Sequence, residues 1–286
     1  MISPRILRRR IRSIQSTAKI TRAMEMIATA TMKRAQDQAV AGRPYDQKIN
    51  QLISDLAAES EKYGALHPLL EKREVINQIA ILLITSDRGL CGGLNANLHR
   101  LAGNFIIEQN VPATLITVGQ KGRDFMIRGH RTIRAEFTKI SDRPTLLETL
   151  PISQIIIDDY ISGHTDLVYI AYNKFVTTML QKPTIELLLP IAPAVLPKTE
   201  TIEYIYEPNP EFVLESLLPR FIEMRVYQTI LESIASEHSA RMIAMRNATD
   251  NANELIENLT LTLNKARQEM ITTELLDITG GVEVLH

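Results

Sequence analysis

The stretch SDRGLCGGLNANL (residues 86–98) holds the residues best suited to chemistry. It follows the apolar run IAILLIT and opens a segment with helical spacing. Phosphate-cradling loops occur in that setting, because glycines let the backbone approach an anion and a helix N-terminus attracts one. Two requirements are missing. No Gly-Lys-Ser/Thr completes a Walker loop, and Gly89, Gly92 and Gly93 do not fall in the GxGxxG spacing. A tight strand-to-helix turn needs glycines there for its own geometry. Cys91 reads as a small buried residue of that turn rather than a reactive thiol. As the single cysteine it excludes an intrachain disulfide and a cysteine-rich metal site. His67, His99, His130, His164, His238 and His286 are scattered, and neither paired carboxylates nor a nucleophile beside a base stands out. Nothing in these residues proposes an active site. A nucleotide-dependent α/β enzyme using the glycine-rich turn is the alternative to a non-catalytic role.

A second feature is charge. Between Arg5 and Met24 there are seven cationic side chains and no acid, the first carboxylate being Glu25. The net charge is −1, so the chain as a whole is no polyanion binder and any specialisation lies in segregation along it. A mitochondrial transit peptide or a nucleic-acid arm fits the arginines by composition, and so does one half of a paired helix. The longest apolar run falls short of the roughly 18–20 residues that span a bilayer. No direct membrane insertion is expected; the protein is soluble or peripheral.

The elements that must position these groups follow from glycine and proline. Residues 5–41 contain neither, Gly42 and Pro44 interrupt briefly, and residues 220–279 again contain neither. Both residues are disfavoured inside helices, one for backbone entropy and the other for a lost hydrogen bond and a clash. Two long helical ends around a compact middle result: an N-terminal shaft helix (1–62), a globular α/β domain (63–211) and a C-terminal shaft helix (212–286). In the last, Leu231, Ala235, His238, Met242, Met245, Thr249, Ala252, Ile256, Leu259, Leu263, Ala266 and Met270 keep an alternating four-three spacing. That period of 3.5 marks a coiled-coil seam. The N-terminal helix shows a rougher version: Leu7, Ile11, Ile14 and Ala18, then Ile20, Met24, Ile27, Thr31 and Ala35. Residues 1–40 carry nine cations against two anions, and residues 220–286 six against ten. Opposite excesses favour pairing the two helices with each other, and their connection through the middle makes the pair antiparallel. Facing positions should sum to about 274, leaving about a dozen C-terminal residues as an overhang. That tip is apolar, and an exposed apolar tip is an interaction site.

The middle alternates strand and helix. VINQIAILLIT, PATLITVG, DLVYIAYNKF, KPTIELLLPI and EYIYEP read as strands; GLNANLHRLAGNFIIEQN and KGRDFMIRG read as helices. PTLLETLPISQIIIDDYISG reads as a helix broken by proline. The pattern implies a largely parallel, doubly wound, Rossmann-like sheet. The fold class is α/β with a long antiparallel coiled coil.

Five stretches carry a family resemblance: KITRAMEMIATATMKRAQ (19–36), SDRGLCGGLNANL (86–98), YEPNPEFVLESLLPRF (206–221), SEHSARMIAMRNATDNANELI (236–256) and NKARQEMITTELLDITGG (264–281). The chain resembles, end to end, the gamma subunit of F-type (F1Fo) ATP synthase. The resemblance places the opening arginines in the mature shaft. It implies a central-stalk rotor whose coiled coil sits inside a hexamer of alpha and beta subunits. Its middle domain then meets the epsilon subunit and the membrane c-ring. Proton flow turns the shaft, and its asymmetric faces drive the beta sites in sequence. No cofactor, nucleic acid or catalytic residue of its own is implied. By the same resemblance Met24 and Arg241 face each other near an acid-rich beta-subunit loop, with Lys19 and Arg22 on the same turn. Arg267, Gln268 and Thr272 match upper contacts to beta. Leu275, Leu276, Ile278, Val282, Val284 and Leu285 match a tip turning in a hydrophobic sleeve, although Glu283 and His286 depart from the family's small apolar ending. Tyr204, Tyr206 and Glu207 match the foot on the membrane ring. The two-cysteine insertion of the chloroplast form is missing, so its thiol switch is not expected. The chain starts at the shaft, which favours a bacterial protein, peripheral on the cytoplasmic face of the cell membrane.

Overall fold

The computed structural model describes residues 3–63, 67–191 and 209–283. In chain order the elements are α1 (Pro4–Tyr63), β1 (Ile79–Ile84), α2 (Leu94–Glu108), β2 (Ala113–Val118), α3 (Gln120–Arg128), β3 (Ile133–Phe137), α4 (Leu146–Ile161), β4 (Leu167–Phe175), β5 (Gln181–Leu189) and α5 (Pro210–Glu283). The chain divides into two compact units, residues 1–28 with 241–286, and residues 29–240. Both long helices therefore contribute to each unit.

The larger unit is built on a five-stranded sheet in the order β3-β2-β1-β4-β5. The first four strands are mutually parallel and β5 pairs antiparallel with β4. Every residue of β1 is buried, as expected of a central parallel strand covered on both faces. On one face Ile79, Ile81 and Leu83 pack with Leu98 and Ala102 of α2 and Met126 of α3. On the other, Ala80, Leu82 and Ile84 join Ile156 and Tyr160 of α4, Ile49 and Ile53 of α1, and Leu218, Ile222 and Val226 of α5. The long helices are thus core elements of this unit through their apolar faces.

Three helical prolines do not end their helices. Pro44, Pro151 and Pro219 lie inside α1, α4 and α5, so neither the interruption expected near Gly42 nor the break expected in α4 occurs. Around Pro44 the cause is visible. Gln228 Nε2 of α5 donates to Ala39 O at 2.8 Å, in the turn whose hydrogen bonding a proline disturbs. Gly42 leaves room for it, since a Cβ there would stand 3.0 Å from Gln228 Oε1. β3 was not expected; its sequence IRAEF alternates exposed charge with half-buried apolar residues at a sheet edge. EYIYEP lies outside the described residues.

α5 is locked to the β4–β5 hairpin by polar groups. Glu232 accepts from Phe175 N at 3.2 Å, Arg225 Nη2 donates to Glu186 at 2.8 Å, and Ser239 Oγ donates to Thr178 O at 2.6 Å. Burial pushes the Glu232 carboxyl above the usual range, and the nearby Glu186 adds to the effect. A second lock closes the opposite end of β1. Asp166 accepts from Arg73 Nη1 at 2.8 Å, and from Asn77 N and Gln78 N at 2.7 and 3.0 Å. Burial raises that carboxyl, but these three donors outweigh it and hold it below the ordinary value.

Candidate functional site

In the smaller unit α1 and α5 pair antiparallel. The hydroxyls of Thr21 and Thr249 meet at 2.7 Å, and Glu25 meets Arg246 Nε at 2.9 Å. Facing positions therefore sum to about 270 rather than 274, a shift of one helical turn that lengthens the unpaired end of α5. On α5 the expected seam is right through Ala266 and fails at Met270, which is exposed: Met242, Met245, Thr249 and Ala252 are buried, and Ile256, Leu259, Leu263 and Ala266 half-buried. On α1 it is right through Ala18, slips at Ile20 and Ile27, and is right again at Thr31 and Ala35, which are buried. Ile20 and Ile27 are exposed, and the buried positions are Thr21, Glu25 and Ala28, which continue the four-three spacing from Leu7, Ile11, Ile14 and Ala18.

This register locates the expected contact residues. Lys19 is exposed. Arg22 is exposed and donates to Glu25 Oε2 at 3.0 Å. Met24 is half-buried and Arg241 buried. By this register Arg241 stands level with about residue 29 and Met24 with Arg246, so the two expected partners are about one and a half turns apart along the axis. Arg267, Gln268 and Thr272 are exposed on the part of α5 that continues beyond the start of α1, where Thr272 Oγ1 donates to Gln268 O. Leu275 and Leu276 are exposed large apolar residues of the same stretch. Ile278 and Val282 belong to α5, but their side chains lie outside the described residues, as do Val284, Leu285, Tyr204, Tyr206 and Glu207 altogether. Sequence reasoning placed Thr249 on the seam but missed its partner Thr21 and the pair Glu25–Arg246. The available signal was a polar residue falling on a seam position of an otherwise regular heptad.

The start of the glycine-rich turn is bonded to distant backbone groups. After β1, Asp87 takes Gln120 N at 2.9 Å through Oδ1 and Lys139 N at 2.9 Å through Oδ2. Thr85 Oγ1 accepts from Gly122 N at 2.8 Å, and Ser86 O from Lys121 N at 3.1 Å. The first three N–H groups of α3 are all occupied; at α2, the helix that the turn itself opens, Leu94 N donates to Cys91 O at 3.4 Å. Asn95 Nδ2 donates to Ser86 Oγ at 2.6 Å and reaches the buried Cys91 Sγ at 3.4 Å, fixing the turn from inside. Gly119 serves closeness. At φ +92° its missing Cβ would lie 2.1 Å from Thr85 O. Among the described residues no cluster of His, Cys, Asp or Glu could hold a metal ion. No helix among them is long and apolar enough to cross a membrane.

A sequence model of the ATP synthase family matches residues 3–285. The chain is 59% identical, over 100% of both sequences, to the ATP synthase gamma chain of Dehalococcoides mccartyi strain 195. The chain belongs to the ATP synthase gamma-chain family. The gamma chain of Roseiflexus sp. strain RS-1 is 47% identical, with 100% of this chain and 99% of that one covered. In fold, the chain is similar to a chain in the rotor of Euglena gracilis mitochondrial ATP synthase, with TM-score 0.67, 21% identity and 94% and 98% of the two chains covered. A chain of the OSCP/F1/c-ring assembly of the same enzyme gives TM-score 0.69 at 20% identity, covering 99% and 94%.

Proposed function

We propose that this chain is the central-stalk rotor of an F-type ATP synthase. It couples ion-driven rotation of the membrane ring to sequential conformational changes of the catalytic beta subunits, in synthesis or hydrolysis of ATP. The observation that carries this is the relation to ATP synthase gamma chains along the whole of both sequences. Residues 1–62 and 212–286 are the shaft, inside a hexamer of alpha and beta subunits. Residues 63–211 are the foot, against the epsilon subunit and the c-ring, with Tyr204, Tyr206 and Glu207 on the ring side. Lys19, Arg22, Met24 and Arg241 meet beta low on the shaft, and Arg267, Gln268 and Thr272 meet it higher. The apolar tip from Leu275 to Leu285 turns in a sleeve of the hexamer.

The chain supplies no catalytic residue; it acts by differential contact. At each angle its unequal faces favour a different conformation of each beta subunit. A ligand or partner shifts an equilibrium only by its difference in affinity for the two states. The location is peripheral, on the cytoplasmic face of a bacterial membrane. The test is coexpression with alpha and beta subunits. One copy of this chain per hexamer, and ATPase activity that depends on its presence, is the expected result. Hexamers that form and turn over ATP equally well without it, and never retain it, would sink the proposal.

A further inference from the structure

The polar grip of α5 on the β4–β5 hairpin contains one acid left without a cation. Glu232 is half-buried, and its one hydrogen bond among the described residues comes from Phe175 N at 3.2 Å. The two nearby cations are committed to a different carboxylate. Glu186 takes Arg225 Nη2 at 2.8 Å, Lys174 Nζ at 3.4 Å and the Tyr172 hydroxyl at 3.3 Å. Two acids thus share one cluster in unequal settings. Glu186 has its charge satisfied, whereas Glu232 exchanges water for a single backbone N–H and faces a second negative charge. A carboxyl so placed holds a proton more readily than one in water. Burial is the largest cause of its raised value and Glu186 adds to it; Lys174, the Phe175 N–H and Arg225 oppose the rise without cancelling it. Burial, with Glu232 and Glu186 beside it, also pushes the Tyr172 hydroxyl far up, so it remains a donor. Lys182, opposite Lys174 across the hairpin, is exposed. The rest of the grip lies farther along α5. Ser236 Oγ donates to Asn173 O at 2.8 Å, and Ser239 Oγ donates to Thr178 O at 2.6 Å and accepts from Gln181 Nε2 at 3.3 Å. These hydroxyl and amide bonds are neutral and do not titrate.

We infer that Glu232 is a proton-operated catch between α5 and the β4–β5 hairpin: taking up a proton tightens the grip, and losing it loosens the grip. The sign follows from linkage. When the hairpin lifts from α5, Glu232 meets water and returns to the ordinary carboxyl range. Closing raises it again, so closing binds a proton and opening releases one. The grip is therefore strongest below the ordinary range, weakens as pH rises towards the raised value, and changes no further above it. Phe175 N keeps an acceptor in both forms, so the catch loosens without letting go. The inference goes beyond the rotor proposal and holds without it, because hairpin and gripping segment belong to the same compact unit of this chain. Where the rotor proposal holds, the hairpin is part of the foot and α5 part of the shaft. The join between them then responds to the surrounding pH.

The experiment is hydrogen exchange of the full chain, followed by mass spectrometry in steps from pH 4 to pH 8. Results are expressed as protection, which removes the intrinsic pH dependence of exchange. Peptides covering residues 173–181 report the hairpin, and those covering β2 serve as the reference. In the native chain, hairpin protection should fall about threefold or more across this range relative to β2. Glu232→Gln keeps an acceptor for Phe175 N but cannot titrate. The fall should vanish there, and protection at pH 8 should exceed that of the native chain. Lys174→Met removes a cation that favours ionisation of Glu232, so the midpoint of the fall should move to higher pH. A native hairpin protected equally at both ends of the range overturns the inference, as does a fall that survives in Glu232→Gln. A midpoint that Lys174→Met leaves in place or lowers overturns it too. If Glu232→Gln does not fold, the native profile and Lys174→Met decide. Hexamers that never retain this chain would sink the rotor proposal and leave this test standing.

Discussion

Replacing Leu7 by alanine examines the pairing of the two helices where it is thinnest. Leu7 is 1% exposed, although only four residues into α1, so its cover must come from α5 at about residue 263. The substitution removes roughly three carbon groups, worth about 0.8 kcal/mol each in lost burial. Measured Leu→Ala costs run about 2–5 kcal/mol, depending on how far the site collapses. A two-helix seam near its end can relax, so about 2–3 kcal/mol is expected. At about 1.4 kcal/mol per factor of ten, local opening of the paired segment rises roughly 30- to 150-fold. Hydrogen exchange read by mass spectrometry reports this directly. Protection should fall in residues 4–18 of α1 and, by a similar factor, in residues 252–266 of α5. The neighbour Ile6 is 50% exposed, and Ile6→Ala should change exchange by no more than about twofold. Equal effects at the two positions, or a loss confined to α1, would refute the reasoning.

The polar locks of the larger unit give two further predictions. Asp166→Asn cannot satisfy Arg73 and the two backbone N–H groups together, so it should cost about 3 kcal/mol in urea unfolding at pH 7. Because the folded Asp166 carboxyl is depressed, its stabilisation is present above about pH 4 and is lost as pH falls through the folded value; the difference between the two proteins should shrink at pH 3. Glu232 has the opposite sign. Its folded value is raised by burial, so the ionised group opposes folding above the unfolded value and ceases to do so below it. Glu232→Gln, which keeps an acceptor for Phe175 N, should therefore unfold at higher urea than the native chain at pH 8 and at the same urea at pH 4. A native chain that is the more stable of the two at pH 8 would reverse the assigned direction.

Much of this architecture was legible because periodicity reports burial directly. The α5 seam from Leu231 to Ala252 is apolar enough to follow by eye, and all seven of those positions are buried. The alternation of strands and helices likewise yielded four of the five strands in the described sheet. The α1 seam slipped at Ile20 for a physical reason. Apolarity was followed where spacing should have been, and the structure keeps Thr21 and Glu25 inside because a partner across the seam satisfies each. Prolines misled in the same way. A missing N–H breaks an isolated helix, but Gln228 donates to Ala39 O, 189 positions away in the chain, in the turn before Pro44, a contact that no local rule anticipates. The bonding of Asp87 was also hidden, since it is closed by N–H groups of residues 120 and 139. What stays invisible in sequence here is consistently the polar contact between distant segments.

The central claim is that α1 and α5 pair antiparallel with Thr21 opposite Thr249. The chain with Thr21→Cys and Thr249→Cys tests it, with Thr21→Cys and Asn253→Cys as the control one turn away. The hydroxyls replaced are 2.7 Å apart, which brings two sulfurs in their place within reach of each other, and the native Cys91 is buried. Mild oxidation should close the first pair within a single chain and leave the control reduced. Closure of the control instead, or linkage only between chains, would contradict the register and the shaft with it.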